Sequence, residues 1–277
     1  MSHKQSLNVD TQTEFVAFDV ETTGLWPMTH RIVELAAIRF DDSGREIARF
    51  HSLLNPRRPI SRGALHVHGI SDAMVAHAPD ANAVLPEFID FLGNPRHTLL
   101  MAHHATFDAG FVGCELARRG LSIPTHPIVD TLELAQTCLK GPRSFSLPSL
   151  AEDLGLDPID THRALGDCGR VKALWDLFGK TAGDRLKKYF LIDHAAFRIP
   201  PPEGWDDVQD AIDHRRFIRI VYQWGQELKT AFDATPIGFL RKGGYLYLET
   251  ILQFDQKERT FRLDRIKERL VIEGLRR

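Results

Sequence analysis

Cysteine is scarce in this chain, as are long apolar runs and any large excess of one charge. The three cysteines, Cys114, Cys138 and Cys168, are far apart and form no CxxC pair. That spacing speaks against a disulfide framework or a thiolate zinc site and leaves them as small buried residues. No stretch approaches the roughly eighteen uninterrupted apolar residues of a membrane span. The opening MSHKQSLNVD has no apolar segment of signal-peptide type, so a cytoplasmic location is expected. A formal net charge of −2 gives no global sign of a polyanion partner, and a nucleic-acid role has to rest on local features. From Asp206 onward 14 Lys and Arg face 12 Asp and Glu, against 21 and 25 before it, a weak asymmetry. No internal repeat or low-complexity tract is present.

What is present suffices for a real core: 277 residues, 43% of them hydrophobic, suit one large or two ordinary domains. Up to about Lys180 strand-like runs alternate with helical stretches, a mixed α/β pattern. FVAFDV, IVELAAIRF and EIARFHSLL follow one another closely, as adjacent strands do. NAVLPEFIDFLG has helical spacing, TLLMAHH reads as a buried strand, and FDAGFVGCELARRG reads as a helix stopped by Gly120. PIVDTLELAQTCL is a short strand entering a helix, and SLPSLAEDLGL and HRALGDCGRVKALWDLFGK are two more helices. Three consecutive prolines in IDHAAFRIPPPEGW cannot continue a helix or a ladder. The expected division is therefore 1–190, a linker over 191–205, and 206–277, where a short helix precedes FIRIVYQW, KTAFDATPIGFL, YLYLETILQF and RTFRLDRI, strands suited to a small barrel or sandwich.

Within FVAFDVETTG, the period of two puts Asp19 and Glu21 on one face while Val20 points back into the protein. Two readings fit this stretch alone: solvated acids at a strand end, or a pair that needs a cation, because burial and mutual repulsion disfavour the second ionisation. Asp108 falls at the start of a helix after a buried strand, where it either favours the helix N-terminus electrostatically or joins a functional rim. His162 precedes Asp167 by five residues, about 140° on a continuous helix, so it is expected on the loop before that helix. It is either one of 13 surface-type histidines or a general base, since an imidazole with an ordinary pKa of about 6.5 accepts a proton near neutrality.

DVETTG, HHATFD and HRALGDC in this order resemble the DEDDh family of 3′→5′ exonucleases, the group containing the polymerase III epsilon subunit. RIVELAAIRF, HVHGIS and IVDTLELAQ extend the resemblance over about Phe15 to Phe178. It implies an RNase H-like exonuclease fold, a mixed sheet flanked by helices, and release of nucleoside 5′-monophosphates. It implies Asp19, Glu21, Asp108 and Asp167 as ligands of two Mg²⁺ or Mn²⁺ ions, one activating water and the other stabilising the leaving 3′ oxygen, with His162 as base. Thr22, Thr23 and Gly24 would hold the terminal nucleotide, Leu25 would pack on its base, and His104 and Phe107 would lie on the substrate side. Gly24 has its own rationale, since a residue without Cβ lets a ligand approach the main chain. His104 replaces the family's usual Asn, so contacts there are expected to differ. His66 and His68 form an HxH pair that could bind metal, and the resemblance favours the other reading, a structural and substrate-side turn.

TPIGFLRKGGYLYLET and RTFRLDRI resemble a WYL domain, a small SH3-like or Sm-like β-barrel, with Leu246, Tyr247 and Leu248 at the namesake triplet and its tryptophan missing. The resemblance suggests a nucleic acid or nucleotide-like ligand there, with Tyr247, Arg259, Arg262 and Arg265 as candidates, since aromatics stack and arginines meet phosphates. The same residues also suit a barrel interior and solvated pairs with acids such as Asp264. The expectation is a metal-dependent 3′→5′ exonuclease acting on nucleic acid with a free 3′ end, single-stranded DNA favoured, in a DNA-repair setting. The alternatives are an exoribonuclease and a regulatory binder with an inactive nuclease fold. The closing VIEGLRR has no recognisable clamp-binding tail, so a polymerase partner is not indicated.

Overall fold

The structure, a computed structural model, describes residues 13–156, 163–182, 186–191, 198–242 and 244–272. His162 lies outside these residues. The first sheet is built from β1 (Glu14–Thr22), β2 (Ile32–Phe40), β3 (Glu46–Leu53), β4 (Thr98–Ala102) and β5 (Ile128–Asp130) in the order β3-β2-β1-β4-β5. β1 pairs antiparallel with β2 and parallel with β4, which makes the sheet mixed. The remaining elements of this part are the short helices α1 (Arg62–His68) and α2 (Asp72–Val75), then α3 (Ala81–Leu92), α4 (Ala105–Arg118), α5 (Thr131–Cys138), α6 (Leu147–Asp153) and α7 (Ala164–Ala182).

The alternation of β1 decides which helices cover which face. Val16, Phe18 and Val20 join the cluster that takes Leu85 and Phe88 of α3 and Phe111 and Val112 of α4. Ala17 joins the opposite cluster, with Leu134 of α5, Leu150 of α6 and Val171 and Leu174 of α7. Asp19 and Glu21 continue the Ala17 face, the side on which α7 packs. Cys114 and Cys168 are buried and Cys138 is half-buried, all three as free thiols.

The second sheet contains β6 (Arg198–Ile199), β7 (Phe217–Trp224), β8 (Leu228–Lys242), β9 (Tyr245–Leu252), β10 (Glu258–Arg262) and β11 (Ile266–Ile272), with α8 (Asp206–Asp213) against it. The path runs β10-β9-β8-β7-β11, all antiparallel, and β6 adds to β8 from within the proline-rich stretch. β8 is long because its first half pairs β7 and its second half pairs β9. The antiparallel C-terminal sheet expected above is present, and no ladder joins β10 to β11 among the described residues. Alternation reports which side of a strand is buried, whereas closure needs the two end strands to pair. Leu248 and Leu252 are buried here with Phe239, Phe261 and Val208, and Leu246 packs at the edge of the same cluster. No described helix is long and apolar enough to cross a membrane.

Candidate active site

β1 delivers the first two carboxylates side by side on the α7 face. α7 supplies the third: one oxygen each from Asp19, Glu21 and Asp167 lie within 4.8 Å of one another. The start of α7 is fixed by Glu34, a fully buried acid on β2. Its carboxylate accepts from Arg163 Nε at 3.0 Å and from the backbone N–H of Ala164 at 3.1 Å, and His51 Nε2 lies 2.7 Å from it. A buried carboxylate at a helix N-terminus satisfies otherwise orphaned donors and complements the helix dipole. Asp167, in the first turn of α7, is further held by Arg170 at 2.5 Å.

Asp108 arrives from the other face. The parallel pairing of β1 with β4 extends only to Ala17, and the Val20 N–H beyond it donates to Asp108 Oδ1 at 3.1 Å. Asp130, at the end of β5, accepts from the backbone N–H groups of His104 (2.9 Å), Ala105 (3.0 Å) and Leu132 (2.9 Å). It thereby caps α5 and clamps the entry to α4, where His104 has a left-handed φ of 66°. Such a conformation is uncommon outside glycine and persists where its surroundings impose it.

The carboxylates of this rim are crowded and mostly shielded from water, which disfavours their charged forms. Burial raises the Asp19 carboxyl well above the usual range, and Asp108, Asp167 and Glu21 add to the shift. Burial, then Asp167 and Glu34, push Glu21 up to about 8. Asp108 is raised by burial against the pull of the Val20 N–H. The Arg163 guanidinium opposes part of the shift at Glu21. Oxygen-only donors with clustered negative charge suit a hard divalent cation such as Mg²⁺ or Mn²⁺, so these residues fit a metal centre.

Beside the acids lies a pocket of about 700 Å³ lined by Thr22, Gly24, Leu25, Trp26, His30 and Phe107, among others. Leu25 and Trp26 are 76% and 51% exposed, unusually wet for residues of their size. A Cβ at position 24 would lie 2.4 Å from the His30 ring, so any larger residue there has to displace that ring. Thr22 donates from its hydroxyl to the Gly24 carbonyl at 2.7 Å, which holds the turn. Thr23 is fully buried behind the pocket, bonded to His30 Nδ1 at 3.0 Å and to the Arg31 N–H at 3.1 Å. Exposed His104 is not part of the wall, whereas Phe107 is, its ring tilted against that of Phe111 with centroids 4.9 Å apart.

His66 is exposed and His68 is buried, so the HxH pair is split. His68 accepts at Nδ1 from the Ile70 N–H, which leaves Nε2 to donate to the Thr22 carbonyl at 3.1 Å, and burial lowers its pKa. In the second sheet Tyr247 is half-buried, Arg262 lies over the Tyr245 ring at 3.7 Å while bonded to Asp264, Arg259 is near Asp255 at 3.8 Å, and Arg265 is exposed. These four do not converge on a pocket with the acids. Glu34, Asp130 and His68 fall within RIVELAAIRF, IVDTLELAQ and HVHGIS, stretches that carried the resemblance without assigning these residues their hydrogen bonds.

The sequence model of the Exonuclease family matches residues 16–174, more than half of the chain. The chain belongs to the Exonuclease family. A WYL domain model matches residues 203–271. Among curated relatives, the PolC-type DNA polymerase III of Bacillus cereus is 33% identical over 190 residues, covering 69% of this chain and 13% of that protein. That of Thermotoga petrophila is 40% identical over 173 residues, covering 61% and 12%. The chain thus spans only a small fraction of these relatives. Among solved structures, Escherichia coli exonuclease I in complex with a dT13 oligonucleotide aligns with a TM-score of 0.56 at 17% identity, covering 87% of this chain and 55% of that one. The nuclease domain of 3′hExo, a DEDDh family member bound to rAMP, aligns with a TM-score of 0.55 at 18% identity over 66% and 99%. At these identities both alignments speak for the fold: this Exonuclease family chain has the RNase H-like arrangement of mixed sheet and helices.

Proposed function

We propose that the chain is a metal-dependent 3′→5′ exonuclease that releases nucleoside 5′-monophosphates from a free 3′ end, with single-stranded DNA as the favoured substrate. The observation that carries the reading is the convergence of Asp19, Glu21 and Asp167 within 4.8 Å beside an open pocket of nucleotide size. Asp19, Glu21, Asp108 and Asp167 would hold two Mg²⁺ or Mn²⁺ ions, which when bound supply Lewis-acid charge to the scissile phosphate and a lowered pKa to water.

The protein's own residues do the rest. Leu25, Trp26 and Phe107 offer apolar surface to the terminal bases, and stacking of this kind tolerates any base. Gly24 lets the strand end approach the main chain. His162 takes the proton of the attacking water; its place lies outside the described residues, and its role rests on the HRALGD motif. Glu34, through Arg163 and the Ala164 N–H, sets where Asp167 stands. We read 1–190 as the nuclease part and 206–277 as an accessory β module joined to it through 191–205, with Tyr247, Arg259, Arg262 and Arg265 as its candidate contacts. The names of the relatives support a DNA substrate, since PolC-type polymerases and exonuclease I bound to dT13 both handle DNA.

The test is product analysis by ion-pair chromatography after incubation with oligo(dT) and Mn²⁺. Nucleoside 5′-monophosphates, with protection by a blocked 3′ end, are expected. Cleavage of circular single-stranded DNA, or strand binding without product, would contradict the assignment.

A further inference from the structure

Three arginines and three glutamates meet where the second sheet contacts the first. Glu249 lies on β9, on the face opposite Leu248, and is 1% exposed. Its Oε1 accepts from Arg31 Nη2 at 2.9 Å and lies 3.5 Å from Arg118 Nη2. Arg31, 2% exposed, sits at the entry to β2 and also pairs with Glu258 of β10 and with Glu115 at 3.7 Å. Arg118, at the end of α4, lies 3.7 Å from Glu115, which in turn binds Arg119. An acid buried on a β-strand between two sheets is costly unless its countercharges are close.

Both arginines hold the segment 24–31 that walls the pocket. Arg118 Nη2 donates to the carbonyls of Pro27 (2.8 Å) and Met28 (2.6 Å). Arg31 donates from Nη1 to the His30 carbonyl at 2.8 Å, while its backbone exchanges bonds with Thr23 through the Thr23 hydroxyl and the Thr23 N–H. The middle of the loop and its exit are thus tied to two guanidinium groups, and one carboxylate of the second sheet touches both. Removing that carboxylate leaves the buried Arg31 and Arg118 with Glu115 and Glu258 as their acids.

We propose that Glu249 is a positioning residue for the pocket: from the second sheet it fixes Arg31 and Arg118, and through them the 24–31 loop, so the C-terminal module sets how tightly the site holds a strand end. The proposal deepens the exonuclease reading and rests on it for its kinetic consequence. It also gives the two sheets a reason to travel together, since the loop that walls the pocket is tied to a charge the first sheet does not supply.

The test compares the full chain with Glu249→Ala and Glu249→Gln, by steady-state degradation of a 5′-labelled oligo(dT) in Mn²⁺ and by hydrogen exchange read by mass spectrometry. For Glu249→Ala, KM is expected to rise about tenfold with kcat within about twofold, the signature of lost binding rather than lost chemistry. Amides of 24–31 are expected to exchange about fivefold faster or more while those of β1 stay unchanged. Gln retains an acceptor for Arg31, so a rise of about threefold in KM is expected, and this variant carries the test if Ala fails to fold. Parent-like KM together with parent-like exchange at 24–31 overturns the proposal, as does acceleration spread evenly over the chain. If the parent degrades no strand, the nuclease reading fails on its own, and the exchange measurement still decides the role of Glu249.

Discussion

Replacing Glu21 by Gln should stabilise the metal-free protein at pH 8 and change it little near pH 5. The folded-state carboxyl holds its proton up to about pH 8 against an ordinary value of 4.5. Because the folded pKa is the higher, its contribution to stability is complete below the unfolded value and is lost as the pH rises from 4.5 to about 8. At about 1.36 kcal/mol per pKa unit the full shift corresponds to nearly 5 kcal/mol, and allowing for solvent screening of a half-buried group leaves about 2 kcal/mol. At about 2–4 °C per kcal/mol, Glu21→Gln should melt about 4–8 °C above the parent in EDTA at pH 8. The difference should shrink to about 1 °C at pH 5. Adding Mn²⁺ should then reverse the order, since a ligand held at a hundred times its Kd adds about 2.7 kcal/mol to the parent, and the variant lacks one ligand charge. Differential scanning fluorimetry across pH 5–8, with EDTA and with Mn²⁺, reads all of this. A Gln variant less stable than the parent at pH 8 in EDTA, or an offset independent of pH, would refute the reasoning.

Other substitutions probe the parts around the acids. Gly24→Ala brings a Cβ to within 2.4 Å of the His30 ring, so KM for a strand end should rise by roughly tenfold while Mn²⁺ binding by calorimetry is unchanged. His162→Ala should lose most turnover, by about 10²–10⁴-fold, yet keep its metal, and the parent's rate should climb with pH through the ordinary histidine range of about 6.5; a stopped pH–rate series on both proteins decides it. Glu34→Ala strips the buried partner from Arg163 and the Ala164 N–H and should cost about 3–5 kcal/mol in urea unfolding, with kcat falling because Asp167 loses its fixed place.

Much of the site was readable because its residues obey short-range rules. A period of two puts Asp19 and Glu21 on one face, and the structure shows that face closed by α7 with Asp167 in its first turn. Asp108 was marked by its position at a helix start after a buried strand. The residues that escaped reading act across the chain: Glu34 reaches Arg163 over 129 positions and Arg31 reaches Glu249 over 218. No periodicity encodes such pairs. The left-handed turn at His104 escaped for a related reason, since it is imposed by Asp130 from a neighbouring strand. Strand alternation predicted the buried side of β9 but not the order β10-β9-β8-β7-β11, which rests on long-range pairing.

The central claim is that the carboxylate cluster is the working centre of a 3′→5′ exonuclease. A 5′-labelled single-stranded DNA, with a matched RNA alongside, incubated with the parent or with Asp19→Ala in Mg²⁺, Mn²⁺ or EDTA, tests it most directly. The account predicts a ladder that shortens from the 3′ end in either metal, faster on DNA, and disappears with EDTA and with Asp19→Ala. Strand binding without a ladder in any condition, or a ladder that survives in Asp19→Ala, would contradict it.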